Sequence, residues 1–332
     1  MNMMEHKYLF SSPARIIGSY KTDLLDISGV TSSFINESTQ IGLYAQNFYT
    51  IKLFFDNNFH GRIKHIPHKD GDIVCMLLSA YFGKTFYYHG LIQSENCDYI
   101  PNIYKIENKS YQIYPYSNIE DKKLNFCTIP NLDYFFKNDD ETIDVILAAS
   151  AYFAEALRIH SQNKDLSYLN LVATGEILSN IRKYSDNEIF NEEILDLINV
   201  INNEVTNCEK YSKILHMNLK QIKRKYCIYL KDKIDDNFYF KANSYSMFTK
   251  ENIDKMISSS YDLRSQYIHA GKSIGQYVSM DDPLDETCNY IASTKDKRFN
   301  DLVAKSPTFY GLYRIIHNSL RNEIFEKSQK GD

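Results

Sequence analysis

Arg264 and His269, five residues apart in Tyr261-Asp-Leu-Arg264-Ser-Gln-Tyr-Ile-His269-Ala-Gly271, are the pair best suited to chemistry in this 332-residue chain. An imidazole held near neutrality can take the 2′-hydroxyl proton of an RNA or protonate the leaving 5′-oxygen. A fixed guanidinium can neutralise the charge that gathers on the phosphate. Together they are the parts of a ribonuclease that calls for no metal and no cofactor. The bare spacing is weak evidence, because nine arginines and nine histidines supply about a quarter of one such pair by chance in a chain of this length. A near copy stands at Arg62-Ile-Lys-His-Ile-Pro-His68, where Pro67 and the following Lys-Asp-Gly argue against a helix.

The element that must carry the pair is a helix over residues 250–269. Ile257, Tyr261 and Ile268 fall on one stripe of it, and Arg264 falls on the same stripe, where a core residue is expected. A guanidinium placed there needs a partner or a task. Gly271 is a natural residue to end the helix, which leaves His269 in the last turn, where the helix dipole favours the imidazolium. Ser265, four residues before His269, shares its face and could orient the ring. Residues five apart diverge by roughly 140° around a helix, so one helix makes a loose site and two chains facing each other make a closer one. The plainer alternative, an arginine satisfying carbonyls at a helix end beside a capping histidine, stays open on these residues alone.

Around this helix the chain divides in two. Up to residue 138, short β-favouring runs (Arg15-Ile-Ile-Gly-Ser-Tyr20, Thr85-Phe-Tyr-Tyr88, Tyr111-Gln-Ile-Tyr-Pro115) alternate with turn clusters at Asp56-Asn-Asn58, His68-Lys-Asp-Gly71 and Ser117-Asn-Ile-Glu-Asp121, predicting an α+β or mainly β domain. From 139 to 330 the texture is long helical segments with few glycines or prolines. Asp140 or Thr142 can cap the first of these, whose apolar face runs through Ile143, Ile146, Leu147, Ala151, Ala154 and Leu157. Further helices are predicted over 166–181, 188–205, 210–231 and 299–325, giving an all-α bundle of five or six helices.

The helical half resembles the HEPN superfamily, in particular the ApeA-like branch of bacterial anti-phage proteins. The likeness covers about residues 142–327 and rests on three stretches. They are Tyr168-Leu-Asn-Leu-Val-Ala-Thr-Gly-Glu176-Ile-Leu, the Tyr261–Gly271 stretch above, and Tyr310-Gly-Leu-Tyr-Arg314-Ile-Ile-His-Asn-Ser-Leu320. The resemblance implies a HEPN helical bundle in which Arg264 and His269 cleave RNA to a 2′,3′-cyclic phosphate, from a homodimer. The position after the arginine, often Asn, Asp or His in the superfamily, is Ser265 here, as in Arg-Ser forms of the ApeA-like branch. Some HEPN domains are non-catalytic modules that dimerise and bind RNA or a partner, and that is the competing expectation. Glu176 is a candidate partner for Arg264, with simple packing as its alternative. Arg314, His317 and Tyr267 are candidate RNA contacts, although a solvated helix face is the plainer and preferred account of the first two.

Composition bounds the rest. A formal charge of -4 argues against coating nucleic acid by bulk electrostatics but leaves room for a local basic site. The six cysteines are far apart and form no C-x2-C pair, so reduced thiols are expected. No apolar run has signal-peptide or membrane-span length, which predicts a cytoplasmic protein without a membrane partner. Tyr is abundant at 27 residues and Trp is absent, a pattern of AT-rich coding more than of stacking platforms. His60, His65, His68 and His89 with Cys75 fit no standard ligand frame, so no metal is expected. Lys52, Arg62, Lys64 and Lys69 among aromatics suggest either a solvated loop or an RNA-docking surface. On the anti-phage likeness, this half would hold a phage-derived trigger or an inhibitory partner. A metal-dependent nuclease using N-terminal carboxylates is a third reading, separated by its sensitivity to EDTA.

Overall fold

The computed structural model describes residues 3–30, 47–56, 67–94, 97–100, 124–219, 221–240, 246–279, 285–288, 292 and 294–329. Strands β1 (Met3–Ser12), β2 (Ile16–Ile17), β3 (Tyr20–Lys21), β4 (Leu25–Gly29) and β5 (Asn47–Asp56) precede helix α1 (Pro67–Phe82). Strands β6 (Tyr87–Ser94), β7 (Cys97–Asp98) and β8 (Leu124–Asn125) follow it. Six of these form one antiparallel sheet in the order β3-β4-β5-β1-β6-β7. Central β1 pairs with β5 along its whole length, from Met3 opposite Asp56 to Ser12 opposite Asn47. Its Tyr8, Leu9 and Phe10 are all buried, as befits a strand with neighbours on both edges.

Helix α1 corrects the expectation drawn from Pro67 and the His68–Gly71 turn cluster. Proline is tolerated at the first position of a helix, where its missing N–H would have no partner, and Pro67 stands there. Gly71 is a packing residue: a Cβ on it would meet the ring of Tyr88 at 2.6 Å and that of Tyr8 at 2.8 Å. The absent side chain lets the helix lie against the sheet, and Val74, Leu77 and Leu78 are buried behind it.

The remainder is mostly helical. α2 (Asp133–Lys137), α3 (Glu141–Ile159), α4 (Lys164–Leu178), α5 (Asp186–Ile189), α6 (Glu192–Glu204) and α7 (Cys208–Asn218) are followed by α8 (Ile222–Asp232) and α9 (Asp236–Phe240). Then come α10 (Ile253–Ala270), α11 (Gly275–Val278), α12 (Lys297–Val303) and α13 (Phe309–Ser328). Asp140 caps α3 through the Thr142 N–H, as its sequence suggests. Three segments expected as single helices are each divided. Phe190 and Asn191 separate α5 from α6, Gln221 at φ 49° precedes α8, and Pro307 with the capping Thr308 separates α12 from α13.

The sheet unit and the helices share one core. A continuous buried cluster runs from Tyr8 and Ile51 through Leu78 and Phe153 to Leu320 and Ile324. α1 packs on α3 and α13. Polar contacts cross at the same place: Tyr313 donates to the Gly83 carbonyl at 2.8 Å, and Arg158 reaches the Phe86 carbonyl at 3.2 Å and Asp72 at 3.4 Å. Helices α5 to α7 form a satellite around Ile189, Phe190 and Ile198. No described helix is long and apolar enough to cross a membrane.

Candidate active site

α10 is held by Ile253, Met256, Ile257, Ser260 and Leu263, all buried, and ends where Gly271 adopts φ 63°. The Gly271 N–H donates to the Tyr267 carbonyl at 3.0 Å and the Lys272 N–H to the Gln266 carbonyl at 3.4 Å, the paired bonds of a left-handed helix stop. His269 therefore stands in the last turn and is exposed. The segment beyond it is pinned to the start of α4. Asp165 accepts the Ile274 and Gly275 N–H groups at 2.6 Å each and the Ser273 hydroxyl at 2.9 Å.

Arg264 faces α4. Its Nε lies 3.6 Å from Glu176 Oε1, with 27% of the arginine side chain and 18% of the glutamate side chain exposed. That separation is an ion pair but too long for a hydrogen bond. Among the described residues Glu176 Oε1 accepts no hydrogen bond. The Arg264 guanidinium sits 5.7 Å from the centre of the Tyr261 ring. Burial pushes the Glu176 carboxyl above its ordinary range, opposed by the Arg264 charge and by a hydrogen bond with Tyr261. The backbone beside Glu176 is tightly located, since a Cβ on Gly175 would meet the Tyr226 ring at 2.5 Å and Ile316 Cδ1 at 2.9 Å. Tyr226 in turn hydrogen-bonds Ser260 on α10 at 2.8 Å, fixing α8 and α10 together.

The arrangement thus contains a guanidinium with a loosely held carboxylate behind it, and an exposed imidazole about a turn and a half along the same helix. Such a guanidinium can donate to a phosphate oxygen without first giving up a hydrogen-bonded partner. The expected apolar stripe is only partly present, because Ile268 is 47% exposed and Leu263 is the buried residue of that turn. Ser265 is half-buried, and among the described residues no hydrogen bond joins it to His269. Tyr267 packs against the core while its backbone carbonyl closes the helix.

Arg314 and His317 are elsewhere. Arg314 forms a buried ion pair with Glu286, donates to the Phe238 carbonyl at 2.6 Å and lies 4.3 Å from the centre of the Phe238 ring. His317 packs beside both Phe153 and Tyr313, rings that also meet each other, and donates through Nε2 to the Tyr81 carbonyl at 3.2 Å. Neither the solvated face nor the RNA contact expected of them fits these surroundings. Sequence reasoning also missed Tyr261 and Asp165 as parts of the frame, since their partners are more than 80 residues away along the chain.

Burial lowers His317 to about 4, and His160, half on α3's end and packed on Phe309, to about 3. Both lie below the ordinary value of 6.5. The unfolded chain therefore binds protons first as pH falls, so stability is complete above that value and declines toward about pH 4 for His317 and about pH 3 for His160. Urea unfolding is expected to show a lower midpoint at pH 5 than at pH 7, by of the order of 1–2 kcal/mol per histidine, with a shallower decline in His317→Gln.

In the N-terminal half, Lys52 pairs with Glu5 at 3.0 Å, Lys69 is exposed, and His89 is buried 2.7 Å from the Ser11 hydroxyl. His60, Arg62, Lys64 and His65 lie outside the described residues, as do the run at 111–115 and the turn at 117–121. Among the described residues no group of three His, Cys, Asp or Glu side chains could hold a metal ion. No known family, curated protein or solved structure matches this chain.

Proposed function

We propose that the chain is a metal-independent endoribonuclease of the HEPN type, with Arg264 and His269 of two copies forming one composite site. The observation that carries this reading is the Arg264–Glu176 pair: a guanidinium kept half-buried at 3.6 Å without a hydrogen bond, on the helix whose last turn presents His269. In the reaction the RNA 2′-oxygen bonds to phosphorus while the bond to the 5′-oxygen breaks. One His269, neutral, takes the 2′-hydroxyl proton, the His269 of the second copy, as imidazolium, gives its proton to the leaving 5′-oxygen, and Arg264 neutralises the phosphate. The products are a 2′,3′-cyclic phosphate and a 5′-hydroxyl. The biological setting that suits such an activity is a cytoplasmic anti-phage effector or toxin, with the sheet unit as the place for a trigger or an inhibitory partner. Its shared core with α3 and α13 would couple such an event to the bundle.

A second reading, a non-catalytic HEPN module that dimerises and binds RNA or a partner, is favoured by the fact that Arg264 already has a carboxylate neighbour. One experiment separates the two. Total RNA is incubated in EDTA with the wild type and with His269→Ala. Cleavage by the wild type that disappears in the variant is the expected result; identical RNA patterns with both would remove the enzyme. Cleavage abolished by EDTA would point to the metal-dependent reading instead.

A further inference from the structure

We infer that the open groove between α10 and α12 is the track on which a single-stranded RNA backbone lies as it approaches His269, an inference that rests on the ribonuclease reading above. The groove holds about 410 Å³ and is lined by Lys255, Ser258, Ser259, Asp262, Arg298, Asp301, Leu302 and Lys305. That is room for a nucleotide.

Its electrostatics favour an anion. Asp262 is already held by Lys223, with both carboxylate oxygens 2.7 Å from the ammonium. Lys255, Arg298 and Lys305 are exposed, and among the described residues none of them enters an ion pair. Three uncommitted cations thus face a single uncommitted carboxylate, Asp301, in a chain whose net charge is -4. Such a local reversal of sign draws a polyanion to one place on the surface.

Geometry joins the groove to the candidate site. Lys255, Ser258, Asp262, Ser265 and His269 recur at steps of three and four residues and so share one face of α10. His269 stands at the C-terminal end of the face whose N-terminal part lines the groove. Arg264 is turned away from this face toward Glu176. A strand in the groove would therefore meet the His269 of its own chain, leaving the guanidinium to be supplied by the second copy.

The test is fluorescence anisotropy with a labelled, mixed-sequence single-stranded RNA and the full chain carrying His269→Ala, so that the probe is not consumed. Adding Lys255→Ala, Arg298→Ala and Lys305→Ala is expected to raise Kd on the order of tenfold and to flatten the dependence of log Kd on log salt by about 2, near 0.7 per lost phosphate contact. Lys213→Ala, an exposed lysine on α7, is expected to leave both unchanged. Unchanged affinity and slope in the triple variant, no binding by the parent at low salt, or equal competition by polyglutamate would each overturn the groove. Cleavage of total RNA by chains retaining His269 is scored separately. Wild-type cleavage by the triple variant sinks the groove and keeps the ribonuclease, whereas groove-dependent binding without any cleavage keeps the groove and sinks the ribonuclease.

Discussion

Expression of the chain is expected to arrest growth of a bacterial host, and Arg264→Ala to relieve that arrest while slowing RNA cleavage at least about 10³-fold. The size follows from the job assigned to the guanidinium. It faces charge that develops on the phosphate only as the 2′-oxygen attacks, so its loss falls on the transition state. The same substitution is mild for the fold. It leaves behind Glu176, whose carboxyl burial already pushes toward the neutral form, so the residue can take a proton instead of remaining as an isolated charge. A stability loss of about 1–2 kcal/mol is expected by urea unfolding. Arg264→Lys sharpens the distinction, since an ammonium keeps the ion pair with Glu176 but lacks the planar fork that grips a phosphate. It should be as stable as the wild type and still slow. Because Arg264 and His269 would act as a unit, Arg264→Ala with His269→Ala should cleave no more slowly than either alone. An Arg264→Ala chain that remains folded, toxic and active would end the proposal.

How far the sequence reveals this site depends on whether the controlling contacts are local. The end of α10 is legible because Gly271 and the carbonyls it satisfies lie within one turn, and the start of α3 because Asp140 bonds to Thr142. The half-buried state of Arg264 also follows from its position near Ile257 and Tyr261. What is not legible is which face of a helix meets a neighbour. Ile268 has the right spacing for the core, but it is 47% exposed although the segment that follows α10 is held against the start of α4. The turn cluster around Gly71 reads as a break until the rings of Tyr8 and Tyr88 are seen to need the space. The divisions at Phe190, Gln221 and Pro307 are similar: each interrupts an apolar rhythm that continues on both sides, so periodicity alone runs through them. The α10 and α12 groove is hidden for the same reason, because Lys255 and Arg298 belong to segments separated by more than 40 residues.

Arg314→Ala is expected to destabilise the protein by about 3–5 kcal/mol without touching the chemistry, a large share of the roughly 5–15 kcal/mol that holds an ordinary domain together. The partner explains the size. Glu286 is only 1% exposed, and its Oε2 accepts the Phe248 N–H at 2.8 Å. Its backbone also receives the Thr308 N–H at 3.0 Å, just before α13, and donates to the Ser246 carbonyl at 2.9 Å. A Cβ on Gly311 would meet the Glu286 carbonyl oxygen at 2.1 Å, so the loop is pressed against the helix with no room to carry the carboxylate outward. Removing the guanidinium strands that charge and also frees the Phe238 carbonyl that Arg314 engages. Truncating both partners should cost less than truncating one. Arg314→Met with Glu286→Gln is expected to recover most of the loss, since a thioether can cover the Phe238 ring and a neutral amide still accepts the Phe248 N–H. Urea midpoints of the single and double variants decide the point. A single variant as stable as the wild type would mean that the pair contributes nothing to the join between α13 and the segment before α10. A single variant that unfolds early but, while folded, cleaves RNA at the wild-type rate would place Arg314 in the frame and leave catalysis to Arg264 and His269.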